Sequence, residues 1–495
     1  ATDITLVRDS DEMVIVPGIL PSAVAKKTRE ITVFSIHGIG NTSACYADPI
    51  LAMFAGERDR TSREDEEGCI PNNAVQMPVC LASSYDITGE AFRDLQNGES
   101  PVVIGEECEP AGGEIDVLEG VELGVEEIRP RRVARMGTLF RYESEISYVD
   151  DLGKTFFLNA TSYAYWWHGD ANAIQAPFVA KDLSRERESE RVAVNRALKK
   201  LVLNEGLIDA TFFLGKGGVL LREGTQSALC RMVLDVERLR APAEIVDNPC
   251  RALSNRTTFP ALRDSQVVLL TQSLGSRILL DSLSGFFTDS ETSPAQTERK
   301  ARGIRDTILQ SGPLVYMSAN QLPLLGAAEV TVTDRRVFRE RQEAQAAEEQ
   351  NFLSQLEAKT VVRTMVVGED ELPQPEAVEA LDNQEPENVA AAEPAKPMMM
   401  LQEAAKPAED VSLVAFYDPN DLLGYPAGDH LPDERQSKYI DIQQRYAIPW
   451  FFFANPAKAH DKSFNRNRAR RMILCGALQK TKDRRTLVMN QDCRR

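Results

Sequence analysis

Ser273 sits in Thr271-Gln272-Ser273-Leu274-Gly275, between the apolar run Val267 to Leu270 and a stretch with apolar residues at helical spacing that reaches Ser284. A serine on a sharp strand-to-helix turn is lifted out of the sheet, where it becomes a nucleophile once a neighbouring base takes its proton. The plainer alternative is a serine that caps the helix. His37-Gly38-Ile39-Gly40 follows a second β-branched apolar run, Ile31 to Ile36, and its glycines would let backbone N–H groups approach a reacting oxygen. A simple turn around a packed histidine would read the same way. Asp418 and Asp421 fall in Asp418-Pro419-Asn420-Asp421-Leu422-Leu423, directly after the run Val411 to Tyr417. The chain has four histidines: His37, His168, His430 and His460. Serine, carboxylate, imidazole and turn glycines are the parts that acyl-transfer chemistry requires.

Thr271 to Gly275 resembles the nucleophile elbow of the α/β hydrolases, G-x-S-x-G, with Thr271 where the first glycine is usual. A small β-branched residue fits such a turn when its methyl points away from the helix. His37-Gly38-Ile39-Gly40 is similar to the oxyanion turn of lipases and esterases. The resemblance implies oxyanion-hole donors at the backbones of Ile39 and Leu274, with His37, Gly38 and Gly40 forming the turn. In this family the acid follows the strand after the insertion. That implies Asp421, whose two following leucines resemble the acid turn of bacterial lipases, with Asp418 as the alternative acid. The family's chain order is Ser, Asp, His. His168 precedes the nucleophile, His430 follows Asp421 with no strand between, and His460 follows the apolar run Ile448 to Ala454. The implied triad is Ser273, Asp421 and His460. Tyr316 to Pro323 and Asn455-Pro456 with Ala459-His460 look like segments of bacterial α/β hydrolases.

The resemblance implies a carboxylic-ester hydrolase, an esterase or lipase acting through an acyl-enzyme, with a small-molecule or lipid ester as substrate and no cofactor. Two other readings stay open: a non-catalytic binding protein on the same fold, motivated by Thr271, and an acyltransferase or amidase with the same triad. His168 with Asp170 lacks a second histidine pair, so no catalytic metal is expected.

Strands must end at these turns and helices must follow them. Ile31 to Ile36, Val267 to Leu270, Leu314 to Ser318, Val411 to Tyr417 and Ile448 to Ala454 read as buried strands. Tyr142 to Val149 and Lys154 to Trp167 read as β-rich, with a turn at Asp150-Asp151-Leu152-Gly153 and with Tyr163, Tyr165, Trp166 and Trp167 in the core. Helical spacing covers Leu183 to Leu203 and Gly224 to Leu239, separated by Gly215-Lys216-Gly217-Gly218, a connecting turn without Walker spacing. The expected architecture is the α/β-hydrolase fold: a mostly parallel central sheet, helices on both faces and large insertions. Residues 1–43 supply the N-terminal strands and oxyanion turn, and 44–135 form a cysteine-containing acidic insertion without sustained periodicity. Residues 136–336 hold the core with the nucleophile elbow. Residues 337–410 form a Glu/Ala/Pro-rich flexible insertion, and 411–495 complete the core with the acid and base loops. Met398-Met399-Met400 in the second insertion reads as a hydrophobic patch or, more sharply, a lid over an acyl pocket.

Composition narrows the partners. The 495 residues are 43% hydrophobic and 27% charged, a balance that can bury a large core. A formal charge of −18 repels phosphate backbones and anionic bilayers, so nucleic acid is excluded as an expected partner and neutral esters are favoured over phospholipids. No apolar run reaches the ~18 residues of a transmembrane helix. Eight cysteines without a CxxC pair point to disulfides, with Cys69–Cys80, Cys230–Cys250 and Cys475–Cys493 close enough in sequence to close small loops. Disulfides and an N-terminal Ala1 fit a secreted or periplasmic protein; a trimmed chain or a cytoplasmic one fits the same start.

Overall fold

Ile31, Val33, Phe34 and Ile36 are each no more than 1% exposed, although successive residues of a strand face opposite sides of a sheet. Both faces of that strand are therefore covered, and Val267, Val268, Leu269 and Leu270 are buried in the same consecutive way. The computed structural model describes residues 4–6, 14–38, 46, 53–54, 74–82, 133–150, 153–167, 208–214, 217–239, 249–253, 256, 258–285, 304–319, 321, 412–418, 421, 424–426, 440–444, 467–481 and 484–489.

In chain order the elements are β1 (Ile4–Leu6), β2 (Ile15–Val16), α1 (Ile19–Ala25), β3 (Glu30–Ile36), β4 (Val75–Ala82), β5 (Val133–Val149), β6 (Thr155–Trp166), α2 (Ile208–Leu214), α3 (Gly217–Val236), α4 (Pro249–Leu253), α5 (Pro260–Asp264), β7 (Gln266–Gln272), α6 (Leu274–Gly285), α7 (residues 304–310), β8 (Leu314–Ser318), β9 (Ser412–Tyr417), β10 (Ile440–Gln444), α8 (Asn467–Cys475), β11 (Ala477–Thr481) and β12 (Arg484–Met489). The strands form one sheet in the order β2-β11-β12-β1-β10-β9-β8-β7-β3-β6-β5-β4. Its six central strands, from β10 to β6, run parallel. The flanks are antiparallel: β5 and β4 on one side, β1, β12, β11 and β2 on the other. Parallel strands need crossovers, and α6 with α7 supplies the one between β7 and β8. α1 packs with α8 and meets β7, while α3 packs with α6 and both meet β3.

β4 lies inside the region expected to lack periodicity. It is the outermost strand of its side, which is where Pro78 can sit without removing a ladder hydrogen bond from a central strand. β5 starts well before Tyr142 and pairs with β6 over twelve residue pairs, and the Asp150 to Lys154 turn between them is closed by Gly153 N–H to Asp150 O (3.0 Å) with Gly153 at φ +76°. Gly217 and Gly218 open α3, where the sequence suggested a turn. An added Cβ at Gly218 would fall 2.9 Å from Phe213 C, so glycine there lets α2 close against α3. Leu183 to Leu203, Ile448 to Ala454 and the Met398 patch lie outside the described residues.

Two cross-links tie distant segments. Lys26 Nζ donates to the carbonyl oxygens of Arg263 (2.8 Å), Ser265 (2.6 Å) and Ser311 (2.8 Å), and burial pulls its pKa down to about 8. It pins the end of α1 to the segments that lead into β7 and β8. Cys230 of α3 and Cys250 of α4 form a disulfide with Cα atoms 5.0 Å apart, and Cys475 is also disulfide-bonded. Among the described residues no cysteine is free, and no helix is long and apolar enough to cross a membrane.

Candidate functional site

Ser273 is the single residue between β7 and α6, and its φ is +54°. A non-glycine residue in the left-handed region costs about 1–3 kcal/mol and persists only where its surroundings hold it. Here the surroundings are backbone: Ser273 N–H donates to Ser318 O at 2.7 Å and Ser273 O accepts from Ser276 N–H at 3.1 Å. Thr271 solves the missing-glycine problem with its hydroxyl, because Thr271 Oγ1 and Ser276 Oγ are 2.7 Å apart and both residues are fully buried. The hydroxyl side of Thr271 thus faces the helix. Ser276 was not singled out by the sequence, although a second hydroxyl in the first turn of the helix was the available signal.

Ile36 pairs with Thr271 across β3 and β7, so Gly38 and Ser273 lie two residues beyond the same register position. An added Cβ at Gly38 would sit 2.7 Å from both Ser273 Oγ and Gln272 O, and nearer still to Ser273 Cβ. Glycine is the one residue that fits against the serine. Gly275 answers from the helix side: a Cβ there would lie 2.8 Å from Ile36 O and 3.0 Å from His37 C. The turn after β3 and the turn after β7 are therefore interlocked by two glycines.

His37 is fully buried and stacks on Trp167, with ring centroids 4.9 Å apart and planes 7° from parallel, while Tyr46 packs on it at 4.9 Å with a 60° tilt. His37 Nδ1 is 2.9 Å from Gly38 O, and Trp167 Nε1–H donates to His37 O at 3.3 Å. Tyr46 O–H donates to Tyr165 O at 3.0 Å, and burial pushes its phenol pKa far above the ordinary range. These aromatics do more than fill the core: they hold the turn that carries Gly38. Ile39 and Gly40 lie outside the described residues, and Leu274 is the first residue of α6 and fully buried.

The registers of β8, β9 and β10 carry the same edge onward. Gln272 pairs with Ser318, Ser318 with Phe416, and Gln443 with Tyr417. Ser273, Ala319, Tyr417 and Gln443 are consequently level, and with Asp418 and Gln444 one residue further on they form one crest along the C-terminal ends of β7, β8, β9 and β10. Ala319 repeats the conformation of Ser273, with φ +50°, and its N–H donates to Phe416 O at 2.9 Å. Asp418 and Asp421 are 3% and 7% exposed, and Asp421 N–H closes a turn on Asp418 O at 2.9 Å. Gly424 packs its backbone directly against the Asp421 carboxylate. Ser273, Gly38, Leu274 and the two aspartates thus share one edge of the sheet. His460 and His430 lie outside the described residues, as does His168.

The described surface also has a cleft of 1090 Å³, lined by the start of β3, the middle of β5 and β6 and the end of α3. None of its lining residues belongs to the crest. Its wall is structural: Tyr163 O–H donates to Asp235 Oδ2 at 2.6 Å and Arg141 Nε meets the same oxygen at 2.7 Å. Burial and the Asp235 charge push the Tyr163 phenol pKa far up.

Compared with family models, with curated proteins and with solved structures, the chain finds no match in any of the three.

Proposed function

We propose that this chain is a serine hydrolase of the α/β-hydrolase fold that cleaves carboxylic esters, an esterase or lipase with Ser273 as nucleophile. The observation that carries the reading is the left-handed Ser273 at the strand-to-helix turn, with Gly38 of the neighbouring turn packed against its hydroxyl. A serine capping a helix has no need of positive φ or of a glycine fitted against it.

In this mechanism the β7 turn presents Ser273 Oγ, a base removes its proton, and the alkoxide attacks the ester carbonyl. Leu274 N–H, which follows the nucleophile, is one oxyanion donor, and the Gly38 turn brings Ile39 N–H as the second. Two strand spacings, about 9.5 Å, separate the β7 and β9 ends, a gap that a serine, an imidazole and a carboxylate bridge through two hydrogen bonds. His460 is the proposed base and Asp421 the acid that holds its tautomer, with Asp418 as the alternative. Water then cleaves the acyl-enzyme. Export to a secreted or periplasmic compartment fits the Cys230–Cys250 disulfide and is proposed with the activity.

The test is hydrolysis of p-nitrophenyl esters of short and long acyl chains by the wild type, Ser273→Ala, Asp421→Asn and Asp418→Asn. Loss of turnover by about 10³-fold or more in Ser273→Ala is expected. The aspartate variant with the larger kcat loss marks the acid. Turnover that survives Ser273→Ala would remove the proposal.

A further inference from the structure

The cleft of 1090 Å³ beside β3, β5 and β6 slightly exceeds the pockets that enclose small molecules, which hold about 300–1,000 Å³. Its floor is one face of the sheet, built in rows by the register of three strands. Glu30 of β3 pairs with Asn159 of β6, and Asn159 with Glu145 of β5; in the next row Thr32 pairs with Thr161, and Thr161 with Glu143. Alternation along β6 puts Phe157 on the same face, two residues from Asn159, and its ring is 61% exposed. From Phe157 to Tyr163 the floor runs for about 20 Å. Glu30 and Glu145 stand on either side of it, two strand spacings or about 9.5 Å apart between Cα atoms, which leaves room for a chain lying along β6 between them.

The lining carries an uncompensated negative charge. Arg141 is committed at the inner end, where its Nε meets Asp235 Oδ2 at 2.7 Å and its Nη2 reaches Glu143. Glu30, Glu145 and Glu237 then have only Arg238 as a further cation in the lining, and among the described residues no ion pair joins any of the three to a cation. Glu30 Oε1 accepts from Asn159 Nδ2 at 2.9 Å and Glu237 Oε1 from Leu262 N–H at 2.8 Å, so neutral donors hold both carboxylates in place without cancelling their charge. The C-terminal end of α3, at Asp235 and Val236, adds about half an elementary negative charge at the same wall.

We infer that this cleft is a docking site for an extended, arginine-bearing segment of a partner protein, independent of the activity proposed for Ser273. An extended peptide projects every second side chain the same way, about 7 Å apart, which is the repeat of Glu143 and Glu145 along β5. A guanidinium does what both features of the cleft ask: its plane stacks on an exposed aromatic ring such as Phe157, and its fork meets a carboxylate with two parallel bonds. The formal charge of −18 on the whole chain draws such a segment in from a distance.

The test is isothermal titration of the full chain, in about 0.15 M salt, with a pentapeptide that has arginine at its first, third and fifth positions and alanine between. A pentapeptide with its three arginines adjacent and spermine are titrated alongside. The alternating peptide should bind about tenfold more tightly than either. Phe157→Ala should weaken it about two- to fivefold, and Glu30→Gln combined with Glu145→Gln about tenfold, with melting temperatures unchanged because all three side chains are exposed. No binding of the alternating peptide, equal affinity for the two peptides, tighter binding of spermine, or variants that keep the wild-type affinity would overturn the inference.

Discussion

Gly38→Ala perturbs the closest contact in the site with a single methyl. Non-bonded carbon atoms pack at about 3.5–4.0 Å. The new Cβ would stand 2.7 Å from Ser273 Oγ and Gln272 O and nearer to Ser273 Cβ, so the two turns must separate by about 1 Å. Overpacking of this kind costs about 1–3 kcal/mol of stability, a modest drop in melting temperature for a protein of this size. Catalysis is far more sensitive, because misplacing a reacting group by about 1 Å costs on the order of 100-fold in rate. The assay is kcat/KM on p-nitrophenyl butyrate, with circular dichroism melting to verify the fold. Gly153→Asn serves as control, since an added Cβ at Gly153 has nothing within 4 Å and asparagine tolerates positive φ. A folded Gly38→Ala protein with kcat/KM within about threefold of wild type would refute the argument that Gly38 abuts the working nucleophile.

Thr271→Val should cost about 1–3 kcal/mol by stranding the buried Ser276 hydroxyl, and adding Ser276→Ala should recover part of it, giving a coupling of about 1 kcal/mol in chemical denaturation. Reduction of Cys230–Cys250, or the double alanine variant, should lower stability by about 3 kcal/mol for a loop of separation 20, read as a lower denaturant midpoint. Tyr46, Tyr163 and Tyr316 are buried with phenol pKa values raised well above the ordinary range. Their contribution is present in full below about pH 10 and is lost as pH rises further, because the unfolded chain releases those protons first. Tyr316 O–H donates to Pro17 O (2.8 Å) and Ile473 O (3.3 Å), so Tyr316→Phe should be less stable at pH 7 yet lose less stability between pH 9 and 11, measured by melting across that range.

The strands that carry the site were legible in the sequence because they are buried on both faces, which leaves Val267 to Leu270 wholly apolar and Ile31 to Ile36 interrupted only by the small hydroxyls of Thr32 and Ser35. β10 was not legible. Its residues Ile440-Asp441-Ile442-Gln443-Gln444 include three polar side chains that are all buried, and only pairing with β9 and β1 identifies them as a strand. Of the antiparallel flanks, β5 was read from Tyr142 onwards, whereas β4 was missed because it contains Pro78, which reads as a breaker until the strand is known to be an edge. Within the site, the turns at Gly38 and Ser273 were each visible as motifs, but their contact is a product of the β3–β7 register, which local spacing does not encode. Thr271 was read as a departure to be tolerated through its methyl; the hydroxyl bond to Ser276 depends on the first turn of α6 and could not be seen from the pentapeptide.

Whether Ser273 is an activated nucleophile is decided by reaction of the full chain with a fluorophosphonate probe followed by peptide mass spectrometry. One phosphonylated peptide is expected, carrying the modification on Ser273, formed faster than on denatured protein and absent from Ser273→Ala. No adduct on the folded chain, or an adduct on another residue that persists in Ser273→Ala, would contradict it.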